Sequence, residues 1–261
     1  MTDHKRILGG LLAAMVALGL EASGQVLWAD DDDGDEIPFD VASVFAELND
    51  TDGDLGLHAL IDGDVWRRLE IEDPNERQML HIRVTGRLGR QGLTELFFES
   101  AEPPFDELSP EEFFRRFPEG EYEISGRTIE GDERESAALF THVMPAPPNN
   151  IQVSGAAAPT DCDEQDPPLV SNPVVISFDE VAAPHPDLGA SDPDITIDGY
   201  QVVVEREEPT VLVFSVDLPP SETQVQVPPE FIALGTEFKV EVLAREASGN
   251  QTAVETCFEV E

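Results

Sequence analysis

The sequence predicts a mostly β protein with one short helix, and three observations support this class. Short runs in which apolar and polar residues alternate recur along the chain, as expected of strands that bury one face. Turn-forming pairs such as Asp-Gly and Pro-Asn separate these runs. Helix signals concentrate at one place, where Ser109 fits the N-cap, Pro110 the first turn and Glu112 a capping box.

The N-terminal residues have the pattern of an export signal. The basic start MTDHKR precedes the apolar run ILGGLLAAMVALGL, which is short for a membrane span, and small residues follow at Ala22 and Gly24. We interpret residues 1–24 as a signal peptide, the alternative being an uncleaved membrane anchor. The block DDDDGDE then makes residues 25–36 a disordered acidic tail. We therefore expect an exported protein that is periplasmic, secreted or on the cell surface.

The charge of the chain limits its partners. Acidic residues number 55 against 15 basic ones, which gives a formal net charge of −40. Such a surface repels nucleic acid phosphates and anionic lipids, so we exclude both, and we expect no membrane insertion after signal cleavage. The remaining partners are an unknown protein or a polysaccharide outside the cytoplasm.

Residues 37–146 are predicted to form a small antiparallel β domain with one helix. The runs LGLHALI and DVWRRLEI each place apolar residues on one face, and the Asp62–Gly63 pair between them predicts a hairpin turn. The helix SPEEFFRRF has three phenylalanines on one side. The proline-rich stretch MPAPPNN that follows predicts a short, stiff linker to a second domain.

Residues 147–261 are predicted to form a β-sandwich, because six strand-like segments are separated by turns. LGTEFKVEVLAREASGNQT (234–252) resembles strand F, the F–G loop and the start of strand G of a fibronectin type III domain. QVQVPPEFI resembles the strand before them, and IDGYQVVVERE resembles strand C. The resemblance covers about residues 148–261 and implies a spacer or binding module without catalytic residues.

This segment departs from the fibronectin type III pattern in three respects. Phe178 stands where the family usually has a strand B tryptophan, and Phe238 where it has a strand F tyrosine whose hydroxyl ties a corner. The segment 180–194 is also longer than a typical B–C connection. The first domain resembles only an uncharacterised group of exported bacterial proteins, which implies nothing about activity.

The two cysteines, Cys162 and Cys257, are predicted to form a disulfide. A single pair in an exported chain has one connectivity, and the closed loop would contribute up to ~4–5 kcal/mol in the chain-entropy model. Two buried free thiols are the alternative.

Calcium is the candidate cofactor. In NDTDGDLG the residues Asp50, Asp52 and Asp54 alternate, and carboxylate oxygens are calcium ligands. The stretch is not an EF-hand, because leucine and isoleucine occupy its glycine and final glutamate positions. Asp62 from the predicted hairpin turn would help to complete a looser site. The alternative is that these aspartates only shape a turn.

The candidate ligand patch consists of Trp66, Arg67 and Arg68, with Arg83 and the arginines of GRLGRQG (86–92) nearby. An acidic polysaccharide or the acidic second domain of a neighbouring copy would suit it, and pairing of these arginines with adjacent acids is the alternative. His58, His81 and His142 lie on predicted strands, but no local spacing favours a three-histidine metal site.

The sequence therefore predicts an exported, non-catalytic binding or spacer protein of unknown ligand, with calcium as a candidate stabilising ion. No catalytic residue is assigned, and a G-x-S-x-G motif is missing from the sequence. The alternative function is an extracellular carbohydrate-active or other hydrolase whose type III-like module is ancillary. A third hypothesis is that the protein is a subunit of a surface assembly.

Overall fold

The computed structural model describes residues 37–190 and 195–261; the predicted signal peptide and acidic tail lie outside this part. We call residues 37–146 the first half and 147–261 the second half. The first half contains β1 (Val41–Asn49), β2 (Asp54–Glu72), β3 (Gln78–Arg83), α1 (Leu88–Gln91), β4 (Leu93–Glu99), α2 (Pro110–Arg116), β5 (Gly120–Thr128) and β6 (Glu133–Phe140). The second half contains β7 (Gln152–Val153), β8 (Ala156–Ala157), β9 (Leu169–Val170), β10 (Val175–Ser177), β11 (Ile197–Arg206), β12 (Leu212–Leu218), β13 (Gln224–Gln226), α3 (Pro229–Ile232), β14 (Glu237–Glu246) and β15 (Gln251–Val260).

One β-sheet runs through both halves of the molecule. Its strand order is β12-β11-β14-β15-β1-β2-β5-β6, and the two halves meet where β1 pairs in parallel with β15. In this pairing Glu47 lies opposite Gln251 and Asn49 opposite Ala253. The sequence patterns did not predict a shared sheet. That residues 37–146 and 147–261 are separate domains remains a prediction.

Each half has its own apolar core. Strands of the first half and helix α2 enclose one cluster, which includes Val44, Leu48, Leu57, Ile61, Trp66, Leu69, Ile71, Phe113, Tyr122, Ile124 and Phe140. The other cluster includes Val153, Ile176, Phe178, Tyr200, Val202, Val204, Val240, Val242 and Phe258. The second cluster takes residues from both sheets of its half, so these sheets form the two layers of a β-sandwich.

The second half has a fibronectin type III-like fold. Its larger sheet section, β12-β11-β14-β15, places the segments that resemble strands C, F and G side by side, as immunoglobulin-type sandwiches do. The strand before F, β13, lies in the opposite sheet in the order β13-β10-β7-β8. The predicted fold class and the family resemblance are therefore confirmed.

Aromatic residues compensate for the departures from the family pattern. Phe178 packs edge-on against Tyr200, with ring centroids 4.9 Å apart. The Tyr200 hydroxyl accepts a hydrogen bond from the backbone N–H of Val181 at 2.9 Å. Phe238 stacks on Phe258 at 5.1 Å. A tyrosine of strand C thus ties down the long connection after Phe178, and the strand F position is purely apolar.

Helix α2 forms at the predicted residues. The Ser109 side chain accepts from the Glu112 N–H at 3.3 Å, and Phe113 is buried. The second bond of a capping box is replaced, because the Glu112 carboxylate accepts from Arg115 instead. Among the described helices, none is long and apolar enough to cross a membrane.

The predicted hairpin turn at Asp62–Gly63 is wrong. β2 continues from Asp54 to Glu72. Its first part pairs with β1 and β4 and its last part with β5 and β3, and at Trp66 it pairs with both β4 and β5. A Cβ at Gly63 would lie 3.2 Å from the Phe39 ring and 3.4 Å from the Arg134 guanidinium. The glycine therefore permits close packing on the strand, and no turn is needed to account for it.

The Cys162–Cys257 disulfide is confirmed. It joins the connection between β8 and β9 to strand β15, with the Cα atoms 6.1 Å apart. Among the described residues no cysteine is free. The loop that the bridge closes contains most of the second half, because the two cysteines are 95 positions apart.

Asn250 is the polar centre of the junction between the halves. Its fully buried side chain accepts from the Ala46 N–H at 2.7 Å, and it donates to the carbonyls of Thr141 and Val143 at 2.9 and 2.8 Å. The Thr252 hydroxyl donates to the Pro145 carbonyl at 2.8 Å. The proline-rich stretch is therefore packed against β15.

We expect Asn250→Ala to lower the free energy of unfolding by about 3 kcal/mol, because it leaves buried backbone groups without partners. Urea unfolding followed by circular dichroism measures this change. Asn149→Ala, at an exposed position of the same connection, should change stability by less than ~0.5 kcal/mol. Equal stability of the two variants would show that the junction does not depend on Asn250.

Candidate functional site

An open groove of about 620 Å³ on the first half is lined mainly by basic side chains. We call it the arginine groove. It lies between strands β2, β3 and β5 and the connection that contains α1. Its lining residues are Arg67, Arg68, His81, Arg83, Val84, Thr85, Gly86, Gly89, Arg90 and Arg127.

Strand register sets three of these arginines in a row. Arg68 on β2 lies directly opposite Arg83 on β3 and opposite Arg127 on β5. Residues that face each other across antiparallel strands project to the same side, and like charges in such pairs are destabilising. The fold therefore concentrates positive charge at a cost, in a chain whose net charge is −40.

Acidic side chains form ion pairs with only some of the arginines in the groove. The Arg68 guanidinium donates to Glu70 at 2.8 Å, and Arg127 donates to Glu133. The bonds from Arg68 and then Gln78 lower the pKa of the Glu70 carboxyl. Among the carboxylates of the described residues, none forms an ion pair with the other three arginines of the groove, Arg67, Arg83 and Arg90. Within the described residues, the alternative that adjacent acids pair with the arginines of the groove therefore holds for Arg68 and Arg127 only.

The connection between β3 and β4 forms one wall of the groove and carries Arg90. It ends at Gly92, where φ is +78° and a Cβ would lie 2.1 Å from a Val65 methyl group. Only glycine fits there without displacing the strand. The tight approach places α1 and Arg90 beside the arginine row.

Trp66 does not belong to this surface, in contrast to the predicted patch. Its side chain is 0% exposed and lies in the first core. The register of β2 against β5 shifts between Trp66 and Arg68, so Trp66 points inward while Arg67 and Arg68 are both exposed. A strand irregularity of this kind interrupts the alternation of buried and exposed side chains along the strand.

The four candidate calcium ligands do not surround one point. Asp50 interacts with His185 at 3.0 Å, and Asp52 accepts a long bond from Asn49. Asp62 lies on the same continuous strand as Asp54, roughly 27 Å further along it. Among the described residues, no group of three or more His, Cys, Asp or Glu side chains is placed to hold a metal ion. Calcium binding stays a prediction.

The histidines likewise have separate partners. His58 contacts Glu102 at 3.0 Å, His81 lies 3.8 Å from Glu70, and His142 contacts the Phe117 carbonyl at 2.7 Å. Each of the three thus has its own local contact. His58 and His81 lie on strands as predicted, whereas His142 follows the end of β6, so the predicted strand position is wrong for it.

A second charged region, which we call the acidic seam, follows the junction between the halves. It consists of Glu47, Asp54, Glu99, Glu102, Glu241 and Glu255. Glu241 and Glu255 lie directly opposite each other on β14 and β15. Glu102 packs so closely over Gly56 that a Cβ at Gly56 would lie 2.0 Å from its carboxylate.

Burial dominates the titration of the acidic seam. It raises the pKa of Glu241 to about 8, with the charges of Glu47 and Glu255 adding to the effect. Burial and then Glu102 raise the pKa of Asp54 to about 7. Burial opposes the charge on His58, but the hydrogen bond to Glu102 and the charge of Glu47 outweigh it and raise its pKa.

We expect stability to fall as pH rises from about 4.5 to 8. In this window the folded carboxyls, with pKa values raised to about 7 and 8, hold protons that the unfolded chain has released. The raised pKa of His58 acts in the same direction, since its stabilising charge is lost as pH rises. The melting temperature at pH 8 should be at least about 3 °C below that at pH 5.

Calorimetry of two variants locates the source of this pH effect. Glu241→Gln should remove part of the difference between pH 5 and pH 8. Glu222→Gln, at an exposed position, should leave it unchanged. A melting temperature that is equal or higher at pH 8 in the unmodified protein would contradict the expectation.

Arg83→Gln should raise the free energy of unfolding by about 0.2–1 kcal/mol, because it removes a like charge from the row. Arg206→Gln is the contrasting variant. Its guanidinium donates to the carbonyls of Leu234 and Thr210 at 2.7 Å each, so its loss should destabilise by about 1–2 kcal/mol. Urea titration of both variants is the measurement. A loss above ~1 kcal/mol for Arg83→Gln would indicate a structural role instead.

Comparison with known proteins gives neither a family-model match nor a curated relative. Among solved structures, the FN1–FN3 domains of chicken CNTN1 align over 86% of this chain and 69% of their own at 11% identity, with a TM-score of 0.31. A two fibronectin type III domain segment of chicken tenascin aligns over 84% and 97% at 12% identity, with a TM-score of 0.27.

A 1.5-MDa bacterial ice-binding adhesin aligns over 87% of this chain and 66% of its own at 16% identity, with a TM-score of 0.23. TM-scores this low do not define equivalent overall structures. The strand order and the shared core of the second half are themselves those of a type III-like fold.

Proposed function

We propose that this protein is an exported, non-catalytic binding protein in which the arginine groove binds the ligand and the second half acts as a spacer. The observation that supports it most is the row of arginines. Like-charge repulsion opposes this row, and among the described acids only Glu70 and Glu133 form ion pairs with it. A surface maintained against its own stability is typical of a binding site.

The position of the groove suits a spacer arrangement. Gly56 on β2 lies opposite Glu47, close to the junction. Arg68 lies on the same strand, up to about 40 Å from Gly56. The shared sheet and the buried Asn250 join the halves. The second half can therefore hold the groove at a distance from a surface to which the protein is attached.

The alternative of an extracellular hydrolase finds no supporting geometry in the described residues. Among the described histidine–carboxylate contacts, that of His58 with Glu102 has the fully buried histidine, and it belongs to the acidic seam rather than to the arginine groove. Calcium remains a separate prediction. A melting temperature raised by calcium but not by magnesium, and no longer raised in Asp52→Ala, would support it.

An array of extracellular glycans and proteins, probed with residues 25–261, tests the proposed function. We expect binding that Arg68→Glu abolishes and that Arg116→Glu, the same charge change outside the groove, preserves. A panel of hydrolase substrates should show no turnover. Turnover of any substrate, or equal binding by both variants, would refute the proposal.

A further inference from the structure

We propose that the arginine groove binds a linear anionic polysaccharide through its carboxylate or sulfate groups. This inference rests on the proposed function and names the class of ligand. Arg68, Arg83 and Arg127 form the central contacts, with Arg67 and Arg90 at the side of the groove.

The shape of the groove favours a chain over a small molecule. The arginine row runs across three neighbouring strands, which lie 4.7–4.9 Å apart in any sheet. Three guanidinium groups are thus spaced along a line, and the groove is open to solvent on its outer side. A polymer laid across the strands meets several arginines in succession, whereas a single small anion uses one or two.

Arginine chemistry favours carboxylate and sulfate groups. The guanidinium is a planar fork of donors that binds such groups in a bidentate manner. The side chains of Arg68 and Arg127 are 54% and 47% exposed, so both can reach a ligand. Glu70 occupies one nitrogen of Arg68, which orients the side chain and leaves its other donors available.

The charge of the whole protein makes a folded acidic partner unfavourable. A second copy would bring its own net charge of −40 against the first, and repulsion over the entire approaching surface opposes that contact. A polysaccharide chain is narrow and meets mainly the groove. The surrounding acidic surface repels the polymer elsewhere and so confines it to the arginine row, and salt weakens binding because it screens the attraction to these exposed arginines.

Isothermal titration calorimetry of residues 25–261 tests the inference with three polymers. Polygalacturonate supplies carboxylates, heparin supplies sulfates, and dextran is uncharged. We expect binding of at least one charged polymer, no binding of dextran, and a marked loss of affinity between 50 and 300 mM NaCl. The two charged polymers distinguish a carboxylate from a sulfate ligand.

Two matched variants separate the groove from general electrostatics. Arg83→Glu should weaken binding at least about tenfold, since it removes charge-assisted hydrogen bonds. Arg116→Glu makes the same charge change on helix α2 and should alter affinity less than about twofold. Melting curves verify that both fold, and Arg83→Gln provides a milder second substitution at the same site.

The inference is overturned if neither charged polymer binds, if dextran binds equally well, or if both variants weaken binding alike. Sedimentation velocity tests whether a second copy of the chain occupies the groove instead. Self-association that Arg83→Glu abolishes, without polysaccharide binding, would identify a second copy as the ligand; the proposed function would then survive while this inference fails. Loss of array binding together with enzymatic turnover would refute both.

Discussion

The parallel pairing of β1 with β15 is the constraint on which the arrangement of the molecule depends. Backbone bonds over a short overlap, from Glu47 to Asn49, turn two sheets into one. Asn250 completes this junction, because its amide satisfies a strand N–H and two carbonyls that would otherwise be buried without partners. Without that side chain, the return of the proline-rich connection over β15 would bury unpaired polar groups.

The same junction also explains the unusual electrostatics. By joining β1 to β15 it brings Glu47 close to Glu241 and Glu255, and burial then raises the pKa values of all three. The molecule thus has two regions where like charges are held together. In the acidic seam, protonation relieves the repulsion, whereas the arginines of the groove cannot lose their charge near neutral pH. In the groove, the ion pairs of Arg68 with Glu70 and of Arg127 with Glu133 offset part of the repulsion.

Local signals in the sequence predicted the parts of the fold that depend on neighbours in sequence. Helix α2 begins at Pro110 because its N-cap, Ser109, directly precedes it in the sequence. The strands that resemble C, F and G are marked by alternating apolar and polar residues within each strand. Features that depend on distant residues were not predictable. Gly63 serves the packing of Phe39 rather than a turn, and the arginine row requires a register among three strands. Trp66 points inward because β2 is irregular beside it.

The direction of β1 relative to β15 has a mechanical consequence. The two strands are parallel, and the end of β1 overlaps the beginning of β15. Val41 and Val260 therefore lie beyond opposite ends of the overlap. A pulling force between those ends therefore loads the junction hydrogen bonds in shear, all at the same time, rather than unzipping them one by one. The disulfide at Cys257 further ties β15 to the body of the second half. A molecule pulled from these two ends would resist extension at the β1–β15 junction.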